Sequence, residues 1–413
     1  MLFLTKLAFK NLARHRNRTL ITASIIAFAI FFYIYLDSMI GGMVEMSYRT
    51  IIDYEAGHLQ VVKAEYWEEE EKLPLDNLFV PEQRIKEVIQ QVGSGAAFSP
   101  ELSFQAQLYN GTDQLPVLGK GIIPEAFGTV FALENQFVEG SMVTSGQYQV
   151  VLGKRLADLL QLQTGDYITL QVKDKNKTFN TIDAEIVGLV HTSNPNVNQN
   201  IVYLPLDLVQ QTLNVGDLVS KVIVRLENKN QAVKVAGKLA AELQRGGAEL
   251  MVYPWTELEA VSFADAQYVE NQIILVLILG IAAIAIINTV ILAALERMEE
   301  IGMMKAMGLQ NKEIIYTFVL ESTGIGILGG LIGALLGVIG VGTLVRFGID
   351  FDAWAGMEMA SFGLPVIGKT YGVWNPEAFL KVFVFGVLIS FLASILPAYW
   401  AADKDPVKAI YHR

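Results

Sequence analysis

The stretch Ile273–Leu295, IILVLILGIAAIAIINTVILAAL, carries no charged residue across 23 positions. A helix of a soluble domain almost always turns one polar face to water, and this run has none. At about 1.5 Å per residue its length matches a hydrocarbon layer of ~30 Å. Three further runs of similar length lie to either side. Leu20–Leu36, LITASIIAFAIFFYIYL, continues past Asp37 to Met43; Ser322–Val345 is glycine-rich, with Glu321 at its start; Val382–Ala401 follows Lys381. The first run could also be a cleaved leader, since basic residues precede it. Its apolar core exceeds the usual ~7–15 residues, however, and no Ala-x-Ala-like site follows in DSMIGGMVEM, which predicts an uncleaved anchor.

Composition agrees with a divided chain. The 413 residues are 52% hydrophobic and 18% charged, too apolar for an ordinary soluble enzyme and too charged for a membrane bundle alone. An aromatic content of 10% argues against disorder. Cysteine is absent, which excludes disulfides, thiolate metal sites and thiol nucleophiles and leaves oxidising and reducing compartments equally open. The net charge of -11 is unevenly spread: residues 45–270 hold 30 acidic and 17 basic residues, the remainder 12 and 14. Residues 1–18 carry Lys6, Lys10, Arg14, Arg16 and Arg18 with no acid, Arg297, Lys305 and Lys312 follow the second run, and Lys404, Lys408 and Arg413 follow the fourth. The segment 348–376 has Lys369 alone. The positive-inside rule therefore puts both termini in the cytoplasm and 45–270 outside.

The fold class expected is an α-helical membrane protein with four transmembrane helices and a large mixed α/β extracytoplasmic domain between the first and second. The order is an amphipathic N-terminal helix (1–18), a first span (19–43), the exported domain (44–270), a second span (271–295), a cytoplasmic helix (296–313), a third span (314–346), an outer loop (347–376), a fourth span (377–402) and a tail (403–413). Within the exported domain, HLQVV (58–62), YITLQV (167–172), AEIVGLV (184–190) and KVIVRL (221–226) read as strands. Helical spacing appears at 81–92, 153–162, 206–213 and 230–246. SNPNVNQN (193–200) reads as a polar connecting loop, and EEEE (68–71) as a solvated helix face with a cation site as the minor alternative.

Few motifs suggest chemistry. Gly363–Thr370, GLPVIGKT, fits the pattern of a phosphate-binding loop, but YGVWNP follows it, where that loop needs a helix, and topology places it outside the membrane. His15, His58, His191 and His412 are scattered and form no metal-binding pair; His58 reads as a strand-entry residue. No enzymatic site is expected. The informative segment is Glu296–Ile315, ERMEEIGMMKAMGLQNKEII, where Met298, Ile301 and Met304 recur at three-residue spacing and Gly308 supplies a stop. By itself this is either an interfacial hairpin or a docking element.

Glu296, Arg297, Glu300, Ile301, Gly302, Lys305, Ala306 and Gly308 form ERxxEIGxxKAxG, which resembles the cytoplasmic signature of permeases of the FtsX/MacB/lipoprotein-releasing (LolC/LolE-like) superfamily. GGLIG (329–333) after Glu321 and the ending PAYWAADKDPVKAI (397–410) are similar to that family, as are LAFKNLARHRNRTLIT (7–22), VLGKRLADLLQLQTGDYITL (151–170) and WTEL (255–258). Met307 stands where leucine is commoner. The resemblance implies two paired four-span permeases, this chain with a second copy or a paralogue. Each would dock its cytoplasmic helix on one of two ABC ATPase subunits, which hold ATP and magnesium; this chain would bind no cofactor or metal and no nucleic acid. Gly302 and Gly308 would allow close approach, and Glu300 and Lys305 would meet ATPase charges. Glu321 would anchor near the headgroups, and the glycines between 324 and 342 would pack helices.

The size of the exported domain and the lack of a fused ATPase favour the lipoprotein-releasing branch. That branch implies a bacterial inner-membrane permease that extracts lipoproteins. Phe28, Phe31, Phe32 and Tyr35 become candidate acyl-chain contacts beside membrane lipids, and Asn194, Pro195 and Asn196 a candidate loop for a periplasmic carrier. Packing or lipid contact is the plainer reading of those aromatics. Drug or peptide efflux and an FtsX-like signalling scaffold stay open as alternatives.

Overall fold

The computed structural model describes residues 5, 10, 16–93, 95–245, 249–296, 298–350, 353 and 369–403. Most of the expected N-terminal helix and tail, and Gly363–Gly368 of the phosphate-loop pattern, lie outside the described residues. The chain divides into two compact units, one built from 1–44, 267–350 and 369–413, the other from 45–266 and 351–368.

The first unit is helical. Among the described residues, four helices are long and apolar enough to cross a membrane: Thr19–Ala56, Tyr268–Ala293, Asn311–Phe347 and Pro376–Asp403. Two of them belong to helices that outrun their apolar stretches. The first helix runs Arg16–Ile51 and ends in a π-turn at Ile52–Ala56, well beyond Met43. The second runs Glu259–Leu295, starting before the apolar run. Hydropathy marks where a helix can meet lipid, and these two continue as polar helices past that point. The Gly41–Gly42 pair does not end the first helix; a Cβ at Gly42 would meet the Tyr371 carbonyl, so its bareness admits that backbone.

Glycine spacing decides the packing of the third long helix. Gly329, Gly333 and Gly337 recur every fourth residue and face the first helix: Cβ atoms there would lie 2.8 Å from the Ala23 carbonyl, 2.7 Å from that of Ala27 and 3.0 Å from Ile34. Gly326 and Gly330 face the fourth long helix, against Ser390 and Phe383. With no hydrophobic drive between helices in lipid, such small-residue stripes let backbones gain van der Waals contact. Ile26, Ile30 and Ile34 fill the seam together with Leu275, Ile325, Val341 and Val382.

The second unit is α/β. Its strands are β1 (Leu59–Lys63), β2 (Ala97–Tyr109), β3 (Gln114–Ile122), β4 (Phe137–Gly140), β5 (Gln149–Gly153), β6 (Tyr167–Lys173), β7 (Phe179–Val190), β8 (Ile201–Pro205), β9 (Lys221–Arg225) and β10 (Leu250–Pro254). They pair in the order β10-β1-β9-β2-β3-β8-β5-β7-β4, and β6 pairs with both β2 and β7. These pairings close a six-stranded ring, β2-β3-β8-β5-β7-β6, with β9, β1 and β10 extending from it as a flange. The 13 residues of β2 make this branching possible. Its first half pairs with β9 and its last four residues with β6 along the same edge, while β3 holds the other. Phe104, Leu108, Leu152, Leu170, Ile186 and Val202 alternate into the ring, and the cluster continues under the flange through Val61 and Val222 to the helices Gln83–Val92 and Ala232–Arg245.

Replacing Gly333 with leucine should force the first and third long helices apart. The expected loss is about 1–3 kcal/mol, read as a lower melting temperature in detergent, whereas Gly280→Leu, at a site open to its surroundings, should leave it unchanged.

Candidate functional site

One organised polar place in each unit bears on the residues singled out from sequence. The first is the short helix Met298–Ala306. Its end is built by sequence: Gly308 takes φ 95°, its N–H donates to the Lys305 carbonyl at 3.0 Å, and the Leu309 N–H donates to Met304 at 3.2 Å. This is a Schellman stop, with Leu309 and Met304 packed on the same apolar cluster. The next helix starts at once, because Gln310 and Glu313 form a reciprocal capping box.

The helix sits on the rest of its unit through Ile301, which packs with Ile314, Phe318, Ala398 and Ala401. Gly302 is buried beside it. Lys305 donates from Nζ to the Ala402 carbonyl at 2.7 Å, placing its positive charge at the C-terminal end of the Pro376–Asp403 helix. Ile301, Gly302 and Lys305 thus build the helix's seat, where an outward role for Lys305 was expected. The outward face consists of Met303 (51% exposed), Ala306 and Met307 (73% exposed). Glu296 and Gly308 are exposed, Glu300 is half-buried, and Arg297 lies outside the described residues. Met303 and Met307, four apart, present a flexible apolar pair at the surface of this unit.

The second place is the end of the first helix, where a row of polar side chains grips the α/β unit. Glu45 accepts from Lys229 at 2.7 Å, and Thr50 bonds Ser193 at 3.0 Å. Asp53 accepts from Arg225 at 2.7 Å, and Arg225 also donates to the Val130 carbonyl at 3.1 Å. Glu55 accepts from Asn194 at 2.9 Å and from Asn196 at 2.6 Å, while its carbonyl accepts from Lys120 at 3.2 Å. The π-turn aims these groups, closed by Gly57 N–H onto the Ile52 carbonyl at 3.1 Å, with Gly57 at φ 65°. A side chain at Gly57 would collide with Ile223.

Segment 193–200 therefore differs from the loop expected. Asn194 caps a single helical turn, Pro195–Gln199, and is buried; Asn196 is half-buried. Both amides are engaged on Glu55, so this segment is a fixed seat for the first helix. Nothing in the composition of SNPNVNQN marks that role. The acids and bases of EMSYRTIIDYEAG, recurring after an apolar run, are the sequence signal that the helix continues and is gripped.

The four aromatics of the first helix divide in two. Phe31 and Tyr35 pack against the third long helix, a Cβ at Gly340 falling 2.8 Å from Phe31 and 3.3 Å from Tyr35. Phe28 and Phe32 point outward, 64% and 43% exposed, with stacked rings 6.1 Å apart.

His58 lies beside the gripped segment, buried, with Nδ1 accepting the Leu226 N–H at 2.8 Å. Burial and the nearby Arg225 charge hold it down to about 4. The imidazole is thus neutral and acts as an acceptor.

The family model for the MacB-like periplasmic core domain matches residues 19–242, and that for the FtsX-like permease C-terminal region matches 272–406. Among curated proteins, the chain is 23% identical over 327 residues to the lipoprotein-releasing system transmembrane protein LolC of Neisseria meningitidis, covering 76% of this chain and 77% of that one. It is 25% identical over 336 residues to the corresponding LolE of Haemophilus influenzae, covering 79% and 80%. It is also 25% identical over 213 residues to the macrolide export ATP-binding/permease protein MacB of Nitrobacter winogradskyi, covering 50% of this chain and 30% of that one.

Two outcomes follow from the gripped segment. Since the folded value of His58 lies below the ordinary 6.5, its contribution is complete above about pH 6.5 and is lost as pH falls toward 4, by about 3 kcal/mol in all. His58→Asn, which keeps an acceptor but does not titrate, should flatten the fall in melting temperature across that range; an unchanged slope would refute the assignment. Glu55→Ala leaves two amides without their carboxylate and should cost about 1–3 kcal/mol, with faster hydrogen exchange at 193–200 as the readout.

Proposed function

Because the chain belongs to the family of ABC transporter permeases with a MacB-like periplasmic core and an FtsX-like C-terminal region, we propose that it is the transmembrane subunit of a lipoprotein-releasing machine in a bacterial inner membrane. The observation that carries this reading is its extent. Relatives named for lipoprotein release align over about three quarters of both chains, whereas the macrolide exporter aligns over under a third of its own length.

In this reading the four apolar helices are spans, both termini face the cytoplasm, and the α/β unit is a periplasmic insert between the first two spans. ATP and magnesium belong to two copies of a partner ATPase, so this chain performs no catalysis. The helix Met298–Ala306 is the coupling element. Met303, Ala306 and Met307 enter an ATPase groove, with Glu296 at its rim, while Ile301 and Lys305 tie the helix to the third and fourth spans. A load on that helix reaches the spans through packed side chains, because close-packed contacts shift as units. The first span would deliver motion to the periplasmic unit through Glu45, Thr50, Asp53 and Glu55.

The permease pairs with a second copy or a paralogue. The second long helix, which exposes Ile273, Val276, Leu277, Ile281 and Ile284, supplies an apolar face for that partner, for lipid or for an acyl chain. Phe28 and Phe32 are the aromatics of the first span placed to meet acyl chains. A periplasmic carrier would dock elsewhere than Asn194 and Asn196, whose amides are engaged. The MacB-like core match supports one other reading, efflux of a drug or peptide by the same coupling.

Depletion should leave acylated lipoproteins in the inner membrane, read by fractionation and mass spectrometry; normal sorting with altered drug sensitivity would establish efflux instead. Met307→Asp should weaken co-purification with the ATPase about tenfold or more, roughly 1.4 kcal/mol. Unchanged association and ATP turnover would remove the docking assignment.

A further inference from the structure

The polar face of the α/β unit holds a cavity that the transport reading leaves unused. Its volume is about 400 Å³, and Gln60, Ser103, Lys120 and Lys221 line it on one side, Glu55, Glu70 and Glu71 on another. Pairing register sets this up. Glu101 stands opposite Lys221 across β2 and β9, and Ser103 opposite Lys120 across β2 and β3, so all four side chains emerge on one face. Sequence alternation there, Ser99-x-Glu101-x-Ser103, reads as a solvent-facing edge, yet Glu101 is 1% exposed.

The charges form a chain. Lys120 lies 3.4 Å from Glu101, Lys221 lies 3.9 Å from Glu101, and Lys221 reaches Glu70 at 2.8 Å. Burial alone would lower Lys221, but the Glu70 and Glu101 charges outweigh it and hold the ammonium protonated. Both lysines are thus engaged with acids. With Glu71 also lining the cavity, three carboxylates accompany two ammonium groups, while Glu55 offers Lys120 its backbone carbonyl. Gln60, 4% exposed, donates its amide to the Ala56 carbonyl, and its Oε1 has no hydrogen-bond partner among the described residues. A buried acceptor left unpaired is costly, and here it sits in surroundings of surplus negative charge. Leu73, Leu118 and Leu258 complete an apolar wall.

We propose that this cavity binds a primary ammonium on a short alkyl chain, with Gln60 Oε1 and the Glu70–Glu71 mouth as acceptors and the leucines against the alkyl stem. A free amine and a lysine side chain of a bound polypeptide share that chemistry. The acidic run at 68–71 then has a task, with Glu70 turned onto Lys221 and Glu71 at the opening, and the site does not depend on what the machine transports.

Titration calorimetry on the full chain in detergent tests this, with n-pentylamine and N-acetyl-lysine amide as probes. Saturable binding of either is expected, and binding of the lysine amide alone would identify the polypeptide as the source. Tetramethylammonium, which has no N–H, should bind about tenfold or more weakly, and pentanoate should not compete. Gln60→Leu should weaken binding about tenfold and Glu71→Gln, at the exposed mouth, about threefold. No saturable binding, competition by pentanoate, or equal affinity in Glu71→Gln and Gln60→Leu proteins that fold would overturn the proposal. Should Gln60→Leu fail to fold, the tetramethylammonium comparison and Glu71→Gln decide.

Discussion

The carboxylate of Glu55, held by the amides of Asn194 and Asn196, is the contact on which the α/β unit's hold on the first helix turns. A helix end leaves backbone groups without partners and tends to fray. Here the chain passes into a π-turn, and every few residues a polar side chain reaches a different part of the sheet: Lys229, Ser193, Arg225, then the two asparagines. Several charge-assisted bonds along one segment make a joint that resists rotation as well as pull.

The membrane unit meets a different constraint. Its helices cannot gain from hydrophobic association in lipid, so they gain from closeness, and glycine at every fourth position provides it. The two glycine faces of the third long helix serve two neighbours, the first helix through Gly329, Gly333 and Gly337 and the fourth through Gly326 and Gly330. The short helix Met298–Ala306 is tied to the same framework by Ile301 and Lys305. Its outer face carries Met303 and Met307, whose side chains are flexible and apolar.

Much of this was legible in the residues. Runs without charge announced the four apolar helices, since length and hydropathy are properties of the segment itself. ERxxEIGxxKAxG marked the family, and Gly308 marked the stop, because only a residue tolerant of positive φ suits a Schellman end. The limits came where a residue's role depends on what lies opposite. Lys305 has the same charge whether it faces a partner or the carbonyl of Ala402. Asn194 and Asn196 have the composition of a loose loop and the position of a clamp. Ser99, Glu101 and Ser103 alternate as polar residues do on a wetted strand, yet all three are buried.

The sequence by itself determined the number of apolar helices and where each is apolar, the acidic character of the α/β region, the stop after the short helix Met298–Ala306 and the family. Those are local, written in hydropathy, charge and backbone preference over a few turns. Tertiary structure alone decided the closure of six strands into a ring, which required β2 to serve two partners along one edge. It also decided which glycines face which helix, and how the Lys120–Glu101–Lys221 chain came to line a cavity. Each joins residues tens to hundreds of positions apart, and no period in the chain encodes a distance between strangers.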